Sequence, residues 1–382
     1  MGRLVGRLLR WFSSHARDLP WRRTRDPYAI WISEIMLQQT QVRTVVPYWE
    51  RWMRALPDIR SVAEASPARV LKLWAGLGYY RRARNLQQAA REMVRTHGGR
   101  FPARFDEVLA LPGVGRYTAG AICSIALNQP HGVLDGNVIR VLCRIFGIDR
   151  SPQEARTRSA LWQRADALVQ EAARQPVDLR AARTRQSAGN CSLLNQALME
   201  LGATTCTARL PACPRCPARD LCQARREGRT ETLPAMPARA RAISRSLVVF
   251  VMEHRGRFLV RQRAAGEINA HLWEFPSVEV ESGVRDLKHL AETALKVQPA
   301  RLDPLCTLKF SITNSRITAR VVRGCFQRAP RSLPGAGRWL PLEALGALAF
   351  PAAHGRILAA LHRVRAVTAG GMKAGGRKPG HH

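Results

Sequence analysis

The sequence predicts a mainly α-helical N-terminal part followed by a separate α+β domain. Apolar residues recur at helical spacing through most of residues 1–205, and residues 43–110 contain no strand pattern. Residues 223–245 form a linker rich in Arg, Pro and Ala. Strand-like runs occur only after this linker. We therefore place the second domain at residues 246–365, followed by a basic, disordered tail at residues 366–382.

The composition indicates a partner with many negative charges. The 382 residues include 61 Lys and Arg against 28 Asp and Glu, a formal net charge of +33. This balance is typical of a protein that binds a polyanion. Genomic base composition can explain the preference for Arg over Lys, but not the net charge. Because 46% of the residues are hydrophobic, the chain has enough apolar surface for two or three domain cores.

The sequence shows no pattern typical of export or membrane insertion. Residues 1–21 carry Arg every few positions without a small-residue cleavage site, so we interpret them as the first helix. No run approaches the roughly 20 apolar residues of a membrane span. The nine cysteines are unevenly spaced, unlike a secreted disulfide framework. We therefore expect a cytoplasmic protein without a membrane partner.

A glycine-rich turn separates two predicted helices, residues 105–110 and 117–127. Glycines can adopt positive φ, and such a turn leaves backbone N–H groups bare at the start of the second helix. A helix N-terminus of this kind binds phosphate without side-chain charge. The residues concerned are Gly113, Val114 and Gly115. Taken alone, this helix–hairpin–helix pattern favours a hairpin that only holds DNA over a catalytic site.

Two carboxylates are candidates for chemistry. Asp135 precedes a Gly at the start of a predicted helix, so it is either a positioned catalytic carboxylate or an ordinary N-cap. Glu34 falls within the apolar stretch of a helix predicted over residues 27–42. On a buried face, Glu34 would be paired or have its pKa raised by desolvation, which suits a general acid. On the outer face it would be solvated, and the sequence leaves both alternatives open.

Three further segments have distinctive patterns. Gly76–Arg84 combines two Gly, two Tyr and three Arg, which favours stacking on bases and contact with phosphates. The alternative is a helix C-cap followed by a basic helix face. Residues 174–191 are predicted as a mobile Arg-rich loop, and residues 192–203 as a helix capped by Gly202.

Four cysteines within 17 residues are a strong metal signal, and prolines between them supply the turns that chelation needs. Zinc sites usually contain two C-x-x-C knuckles. The spacing here, C-x6-C-x2-C-x5-C, has one close pair and two wider gaps, which favours a 4Fe–4S cluster with zinc as the second possibility. The predicted ligands are Cys206, Cys213, Cys216 and Cys222.

The second domain changes its hydrophobic period. Strand-like runs are predicted at residues 247–252, 258–261, 305–313 and 317–326, the first two joined as a hairpin. Helical runs are predicted at residues 284–296 and 355–364.

These motifs together resemble the helix–hairpin–helix glycosylase superfamily, and within it the MutY-type adenine DNA glycosylases. The resemblance implies a mainly α fold of two helical lobes over residues 1–205, with an iron–sulfur cluster loop at residues 206–222. The C-terminal part, with Leu-Trp-Glu-Phe-Pro at residues 272–276, is similar to the Nudix-like domain that reads 8-oxoguanine. The matching stretches are residues 17–22, 31–42, 73–86, 111–122, 134–142 and 195–203, together with the cysteine loop.

The resemblance implies roles for individual residues. Glu34 resembles the general acid that protonates the flipped adenine at N7, and Asp135 resembles the carboxylate that stabilises the sugar cation. The other implied roles are Tyr117 and Asn137 as pocket residues, Arg22 and Gln196 near the adenine, Gln39, Leu77 and Tyr79 at the mismatch, and the four cysteines as 4Fe–4S ligands. Breaking an N-glycosidic bond does require two carboxylates with opposite pKa tuning and a base taken out of the stack.

The sequence departs from related activities at two points. A lyase needs an amine, and the usual lysine of the superfamily is replaced here by Tyr117. Residues 1–240 contain one lysine, Lys72. We therefore expect a monofunctional glycosylase. The C-terminal domain lacks the run of glutamates that binds Mg²⁺ in nucleotide hydrolases, so we expect no hydrolysis of 8-oxo-dGTP.

The segment that would read 8-oxoguanine also departs from the Phe-Ser-His type of motif. In one register, Ser311 is kept and Ile312 replaces the His. In the other, Thr313 and Asn314 take the Ser and His places. We favour the second register because Thr and Asn keep the hydrogen-bonding character, and retain Ser311 as a candidate.

The leading hypothesis is a monomeric base-excision repair enzyme that acts on duplex DNA in the bacterial nucleoid. It would hydrolyse the N-glycosidic bond of adenine opposite 8-oxoguanine or guanine. One alternative is an endonuclease III-like lyase for oxidised pyrimidines, against which Tyr117 and the added domain argue. The other is a non-catalytic iron–sulfur DNA-binding protein, which could lose Glu34 or Asp135, although both are present.

Overall fold

The computed structural model describes residues 1–176, 189–237, 241–281, 286–295, 299–312, 314–326 and 337–371, with the backbone alone for residue 294 and residues 366–371. The described residues form two compact units. The first comprises Met1–Ala65 and Arg84–Ala238, and the second comprises Ser66–Ala83 and Arg239–His382. The predicted fold class, a mainly α part and an α+β part, is confirmed.

Helices make up the N-terminal part of the chain. They are α1 (Gly2–His15), α2 (Pro27–Leu37), α3 (Val42–Ala55), α4 (Ile59–Glu64), α5 (Pro67–Trp74), α6 (Arg81–His97), α7 (Phe105–Leu109), α8 (Arg116–Leu127), α9 (Gly136–Phe146), α10 (Ala155–Arg174), α11 (Asn190–Thr204) and α12 (Gln223–Arg226). Short 3₁₀ turns lie at Pro20–Arg22, Cys213–Arg215 and Arg219–Leu221. All of these belong to the first unit except α5 and the first turn of α6.

Helix α2 lies in the centre of the first unit. The Asp26 side chain caps its N-terminus by accepting from the N–H groups of Tyr28 and Ala29. Nine of its eleven residues are buried, and it packs against α3 and α8. The prediction that this helix runs to Val42 is wrong. It ends at Leu37, because Gln38 leaves the helical conformation with ψ of 111° and Gln39 then adopts a left-handed one with φ of 57°.

The predicted helix–hairpin–helix is formed by α7 and α8. Gly113 has a positive φ of 78°, and a Cβ added there would lie 2.6 Å from the Cβ of Asn85. Gly115 is the N-cap residue of α8 with a φ of −102°. Only the first of these glycines therefore needs the left-handed region, contrary to the expectation for both. The first turn of α8 has no side-chain cap, which leaves its amides available to a phosphate.

Helix α11 packs against α1, α8, α9 and α10. The prediction that this helix is capped by Gly202 is wrong, because the helix continues to Thr204. A Cβ on Gly202 would lie 2.6 Å from the Cβ of Asn137, so this glycine allows α11 and α9 to approach closely. Most of the predicted Arg-rich loop, residues 177–188, lies outside the described residues. Its predicted ends are helical, because α10 runs to Arg174 and α11 begins at Asn190.

The segment predicted as a linker is shorter than residues 223–245. Residues Gln223–Arg226 form α12, and Leu233 is buried with Cys222 and Ala224. The first strand begins at Ile243. The C-terminal boundary also differs, since the last helix continues to Gly371 and the rest of the predicted tail lies outside the described residues.

The second unit contains a seven-stranded sheet. Its strands are β1 (Ile243–His254), β2 (Arg257–Gln262), β3 (Trp273–Glu274), β4 (Ser277–Val280), β5 (Arg301–Ile312), β6 (Ser315–Cys325) and β7 (Gly337–Pro341). The order is β3-β2-β1-β6-β5, with β4 on β1 and β7 on β2, and only the β1–β6 pairing is parallel. The four predicted strands are confirmed, each beginning earlier than predicted and β6 ending one residue earlier, at Cys325, whereas the short β3, β4 and β7 were missed.

Both faces of this sheet are buried. Val249 and Val251 of β1 pack on one face with Leu342 of α14 (Leu342–Leu345) and Ile357 of α15 (Ala352–Gly371). The alternate residues Val248, Phe250 and Met252 pack on the other face with Ala291 of α13 (Leu287–Leu295). Burial of both faces explains the continuous apolar run in β1. In the described part of the chain, no helix is long and apolar enough to cross a membrane.

We predict that Gly113→Ala lowers the free energy of unfolding by about 1–3 kcal/mol, because the alanine must adopt positive φ and its Cβ would press on Asn85. Gly115→Ala is the matched control, since a Cβ there meets nothing within 4 Å and the φ is ordinary. Urea unfolding followed by circular dichroism measures both variants. Equal losses of stability in the two variants would contradict this explanation.

Candidate active site

Glu34 is a buried carboxyl on α2, with 5% of its surface exposed. Its Oε2 accepts a hydrogen bond of 2.7 Å from the hydroxyl of Tyr117 on α8. Burial raises the pKa of Glu34 to about 7, and the neighbouring Asp135 acts in the same direction. The hydrogen bond from Tyr117 and the charge of Arg22 act in the opposite direction. The alternative of a solvated Glu34 is therefore excluded, and Glu34 can carry a proton near neutral pH.

Asp135 is the N-cap residue of α9 and also faces the site. Its Oδ1 accepts from the Val138 N–H at 2.7 Å, and its Oδ2 accepts from the Asn137 side-chain amide at 3.0 Å. Burial raises the pKa of Asp135, whereas these hydrogen bonds and the charge of Arg140 oppose that rise. The two carboxyls thus differ in their partners. Glu34 accepts from a single hydroxyl, whereas two N–H groups favour the ionised form of Asp135.

Asn137 is held in turn by Arg140. The Arg140 guanidinium donates to the Asn137 Oδ1 at 2.8 Å and to the carbonyls of Gly202 and Cys206, both at 2.7 Å. Asn137 can therefore present its amide N–H groups to Asp135 in one orientation only. This places the Asp135 carboxylate through a chain of hydrogen bonds that begins on α11.

A buried ion cluster lies beside these residues. The Glu200 side chain on α11 has no exposed surface and accepts from Arg17 at 2.8 Å and from Arg22 at 2.9 Å. Burial alone would raise the pKa of Glu200, but the hydrogen bonds from Arg17 and the charge of Arg22 outweigh it and lower the pKa to about 2. Glu200 therefore fixes Arg22 as a cation next to Glu34.

One cavity of about 700 Å³ brings most of the predicted residues together, a volume suited to a small organic group. It is lined by Arg22, Glu34, Gln39, Tyr117, Asp135, Asn137 and Gln196 among others. The sequence did not single out Arg17, Met199 or Glu200, which also line it. The sulfur of Met199 lies 3.3 Å from the Tyr117 hydroxyl. The sequence signal for Glu200 was its position as an acidic residue in the otherwise apolar stretch that follows Asn195.

Leu77 and Tyr79 belong to the second compact unit, in the turn between α5 and α6. Leu77 is buried, whereas Tyr79 has 51% of its surface exposed and a φ of 47°. The turn is therefore both a helix end and an aromatic loop, as the two alternatives from the sequence allow. The roles of both residues stay predictions.

The predicted 8-oxoguanine candidates lie at the turn between β5 and β6. Ser311 is exposed at the end of β5. The exposed Asn314 donates from its side-chain amide to the carbonyl of Arg241 at 3.1 Å. Thr313 lies outside the described residues, so the preferred register stays a prediction.

The four predicted cysteine ligands line a second cavity, beside α9. The Arg144 guanidinium is buried there and lies 3.4 Å from the Cys206 sulfur, with further hydrogen bonds to the carbonyls of Thr207, Ala208 and Leu233. The pKa of Cys216 is raised to about 11, mainly by burial and to a smaller extent by the nearby Cys206, Cys222 and Cys213. Among the described residues, no three His, Cys, Asp or Glu side chains converge closely enough to form a metal-holding group. The all-sulfur donor set around one cavity nonetheless fits an iron–sulfur cluster in its chemistry.

We predict that Glu200→Gln lowers the free energy of unfolding by roughly 3 kcal/mol. Loss of one partner in a buried ion pair costs about 3–5 kcal/mol of stability. We expect the low end of this range because the Arg17 side chain is 40% exposed. Glu92→Gln is the control, since Glu92 pairs with Arg95 at the surface and such pairs contribute about 0–1 kcal/mol. Urea unfolding at pH 7 measures both.

The pH dependence of this difference provides a second check. Because the folded state lowers the pKa of Glu200 to about 2, its stabilisation is present above the pKa of the unfolded chain and is lost as pH falls toward 2. The stability gap between the wild-type protein and Glu200→Gln should therefore narrow in acid. A gap that stays constant down to pH 3 would refute the assigned ion pair.

Comparison with known proteins agrees with this arrangement. Residues 32–166 match the family described as HhH-GPD superfamily base excision DNA repair protein, and residues 247–360 match the NUDIX domain. The chain is 37% identical over 395 residues to the adenine DNA glycosylase of Mus musculus, covering 88% of this chain and 73% of the mouse protein. It is 48% identical over 240 residues to the adenine DNA glycosylase of Homo sapiens, covering 60% of this chain and 41% of the human protein.

A solved structure of a thermostable thymine-DNA glycosylase is also similar, with a TM-score of 0.51 and 30% identity over 59% of this chain and 97% of that one. The mouse protein and the adenine DNA glycosylase of Buchnera aphidicola subsp. Acyrthosiphon pisum, which is 33% identical over 270 residues, share 73% and 72% of their own length with this chain. The chain therefore belongs to the adenine DNA glycosylase family of base-excision DNA repair proteins.

Proposed function

We propose that this chain removes adenine from A:8-oxoguanine and A:G mispairs in duplex DNA as a monofunctional, monomeric glycosylase. One observation carries the proposal. A buried glutamate that can hold a proton at pH 7 shares a cavity with an aspartate whose two oxygens both accept N–H hydrogen bonds. The net charge of +33 supports duplex DNA as the partner. In a bacterium, this would be the DNA of the nucleoid.

The proton held by Glu34 starts the proposed reaction. Glu34 would donate it to N7 of the flipped adenine, so that the electrons of the N-glycosidic bond leave with a neutral base. Tyr117, which donates to Glu34 Oε2, fixes the carboxyl so that the proton resides on the other oxygen. The fixed cation Arg22 lowers the pKa of Glu34 and so favours release of that proton.

Asp135 would stabilise the positive charge that develops on the deoxyribose. Its carboxylate is held by Val138 and Asn137, so it needs no reorganisation when the charge appears. Water then adds to the sugar cation and gives up a proton to the ionised Glu34 carboxylate, which leaves an abasic site and restores the acid. No amine is needed in this sequence of steps. The single lysine of residues 1–240, Lys72, donates to the carbonyls of Gly346 and Leu348, which supports a monofunctional reaction.

The cysteines Cys206, Cys213, Cys216 and Cys222 would hold the proposed 4Fe–4S cluster. When bound, it would supply four metal–sulfur bonds that fix the loop between α11 and α12. Arg140 and Arg144 already attach this loop to α9 through the carbonyls of Cys206, Thr207 and Ala208.

In the second unit, the exposure of Ser311 and Asn314 at one turn supports recognition of 8-oxoguanine there. We further propose that this domain, about residues 246–365, hydrolyses no nucleotides.

The decisive experiment is a single-turnover assay on a duplex with adenine opposite 8-oxoguanine. We expect strand breaks only after alkali, and their loss in both Glu34→Gln and Asp135→Asn. Asparagine keeps the capping oxygen of Asp135, so the second variant should stay folded. Wild-type protein that releases no adenine would refute the proposal, and a borohydride-trapped DNA adduct would refute a monofunctional reaction.

The pH profile tests the role of Glu34 independently. Above pH 7 the single-turnover rate should fall about tenfold per pH unit, because the acid is lost as Glu34 ionises. The hydrogen bond from Tyr117 lowers the pKa of Glu34, so Tyr117→Phe should shift the falling limb to higher pH. Tyr48→Phe on α3 is the control. A limb that does not move in Tyr117→Phe would contradict this assignment.

Iron and sulfide analysis tests the cofactor. We expect about four of each per chain in the purified wild type, the content of one 4Fe–4S cluster. Cys213→Ser should lose most of this content, whereas Cys325→Ser, an exposed cysteine of β6, should keep it. Zinc in place of iron would favour the alternative metal site.

A further inference from the structure

The loop Gly76–Tyr80 belongs to the second compact unit, although the chain on either side of Ser66–Ala83 belongs to the first. This loop carries Tyr79, the residue predicted to enter DNA at the mismatch. Its unit also contains the β5–β6 turn, the predicted site for 8-oxoguanine. Two DNA-facing elements that are far apart in the sequence thus share one compact unit.

Lys72 attaches this segment to the C-terminal part of the unit. Its ammonium lies at the end of α5 and donates to the carbonyl of Gly346 at 2.5 Å and to that of Leu348 at 2.9 Å. Gly346 follows directly after α14, and Leu348 lies two residues further along the chain. An ammonium has three donors and can satisfy both carbonyls at once, as charge-assisted hydrogen bonds.

Tyr80 provides a second attachment at the base of the loop. It is 3% exposed, and its hydroxyl donates to the carbonyl of Phe350 at 3.3 Å while accepting from the Gly76 N–H at 3.1 Å. Phe350 stacks on Phe275 with ring centroids 5.6 Å apart. Both rings pack in the sheet core with Val321 of β6, the strand that starts beside the β5–β6 turn.

The loop itself is braced from within. Trp74 donates from its indole to the carbonyl of Gly78 at 3.1 Å, and Arg82 donates to the carbonyls of Leu77 and Gly78, both at 3.2 Å. Tyr79 nevertheless adopts a φ of 47°, which non-glycine residues rarely do. Such a conformation persists only where the surroundings enforce it. The exposed ring of Tyr79 is therefore presented by a loop whose attachment points are Lys72 and Tyr80.

We propose that Lys72 and Tyr80 are positioning residues that couple recognition of the base opposite adenine, in the C-terminal part of this unit, to insertion of Tyr79 into the mispair. This inference rests on the proposed function for its substrate. A lesion bound at the β5–β6 turn would order the unit to which the Tyr79 loop is tied. Part of the preference for 8-oxoguanine over guanine would then depend on the hydrogen bonds of Lys72 and Tyr80.

Two measurements on Lys72→Met and Tyr80→Phe test the proposal. Hydrogen exchange of the free protein should show amides of residues 75–83 exchanging about tenfold faster than in the wild type, because the attachments that close the loop are lost. The ratio of single-turnover rates on A:8-oxoguanine and A:G duplexes should fall about tenfold, with the A:G rate changing least. Lys288→Met, which removes an exposed lysine of α13 in the same unit, should change neither.

The outcomes separate this proposal from the function on which it rests. Wild-type protein that releases adenine from neither duplex refutes the proposed function, while the exchange data still decide whether the attachments hold the loop. Unchanged exchange in both variants overturns the attachment. Faster exchange with an unchanged rate ratio, or with an equal loss on both duplexes, overturns the coupling.

Discussion

Burial of helix α2 is the constraint on which the proposed chemistry of this site depends. A carboxyl on a solvated helix would be ionised at neutral pH and useless as an acid. With nine of the eleven residues of α2 buried, Glu34 loses its water and its pKa rises to about 7. The neighbouring groups then adjust this value in both directions. Asp135 raises it, whereas Tyr117 and the cation Arg22 lower it, so the acid is neither permanently protonated nor permanently ionised.

The second carboxyl, that of Asp135, lies in a different local environment. Asp135 caps α9 and also lines the cavity, so the N-cap alternative is confirmed and the catalytic role stays a proposal. The capping bond uses one oxygen and the Asn137 amide the other. The local geometry of a helix start thereby orients a carboxylate without any long-range ion pair. Two carboxyls in one cavity consequently differ in character because one lies inside a helix and the other at its end.

The sequence was sufficient where the signal is local. The glycine turn at Gly113 and the apolar run of β1 have sequence patterns that specify their structure, and the fold class followed from patterns of this kind. It was insufficient where contacts come from distant parts of the chain. The side of α2 that carries Glu34, the ion cluster of Glu200 and the close packing at Gly202 depend on helices 60 or more residues away. The end of α2 at Leu37 was missed because neither Gln38 nor Gln39 is a residue type whose sequence signals the end of a helix.

Arg144 has a consequence for the energetics of the cysteine loop. Its guanidinium is a permanent charge, it is buried, and its partners in the described part of the chain are three carbonyls and one sulfur. Carbonyl dipoles solvate such a cation but do not neutralise it, and an unneutralised buried charge is costly. Thiolates bound to a metal would bring negative charge to the same place. In the proposed metal-binding role of this loop, the buried cation would favour the metal-bound form over the free thiols.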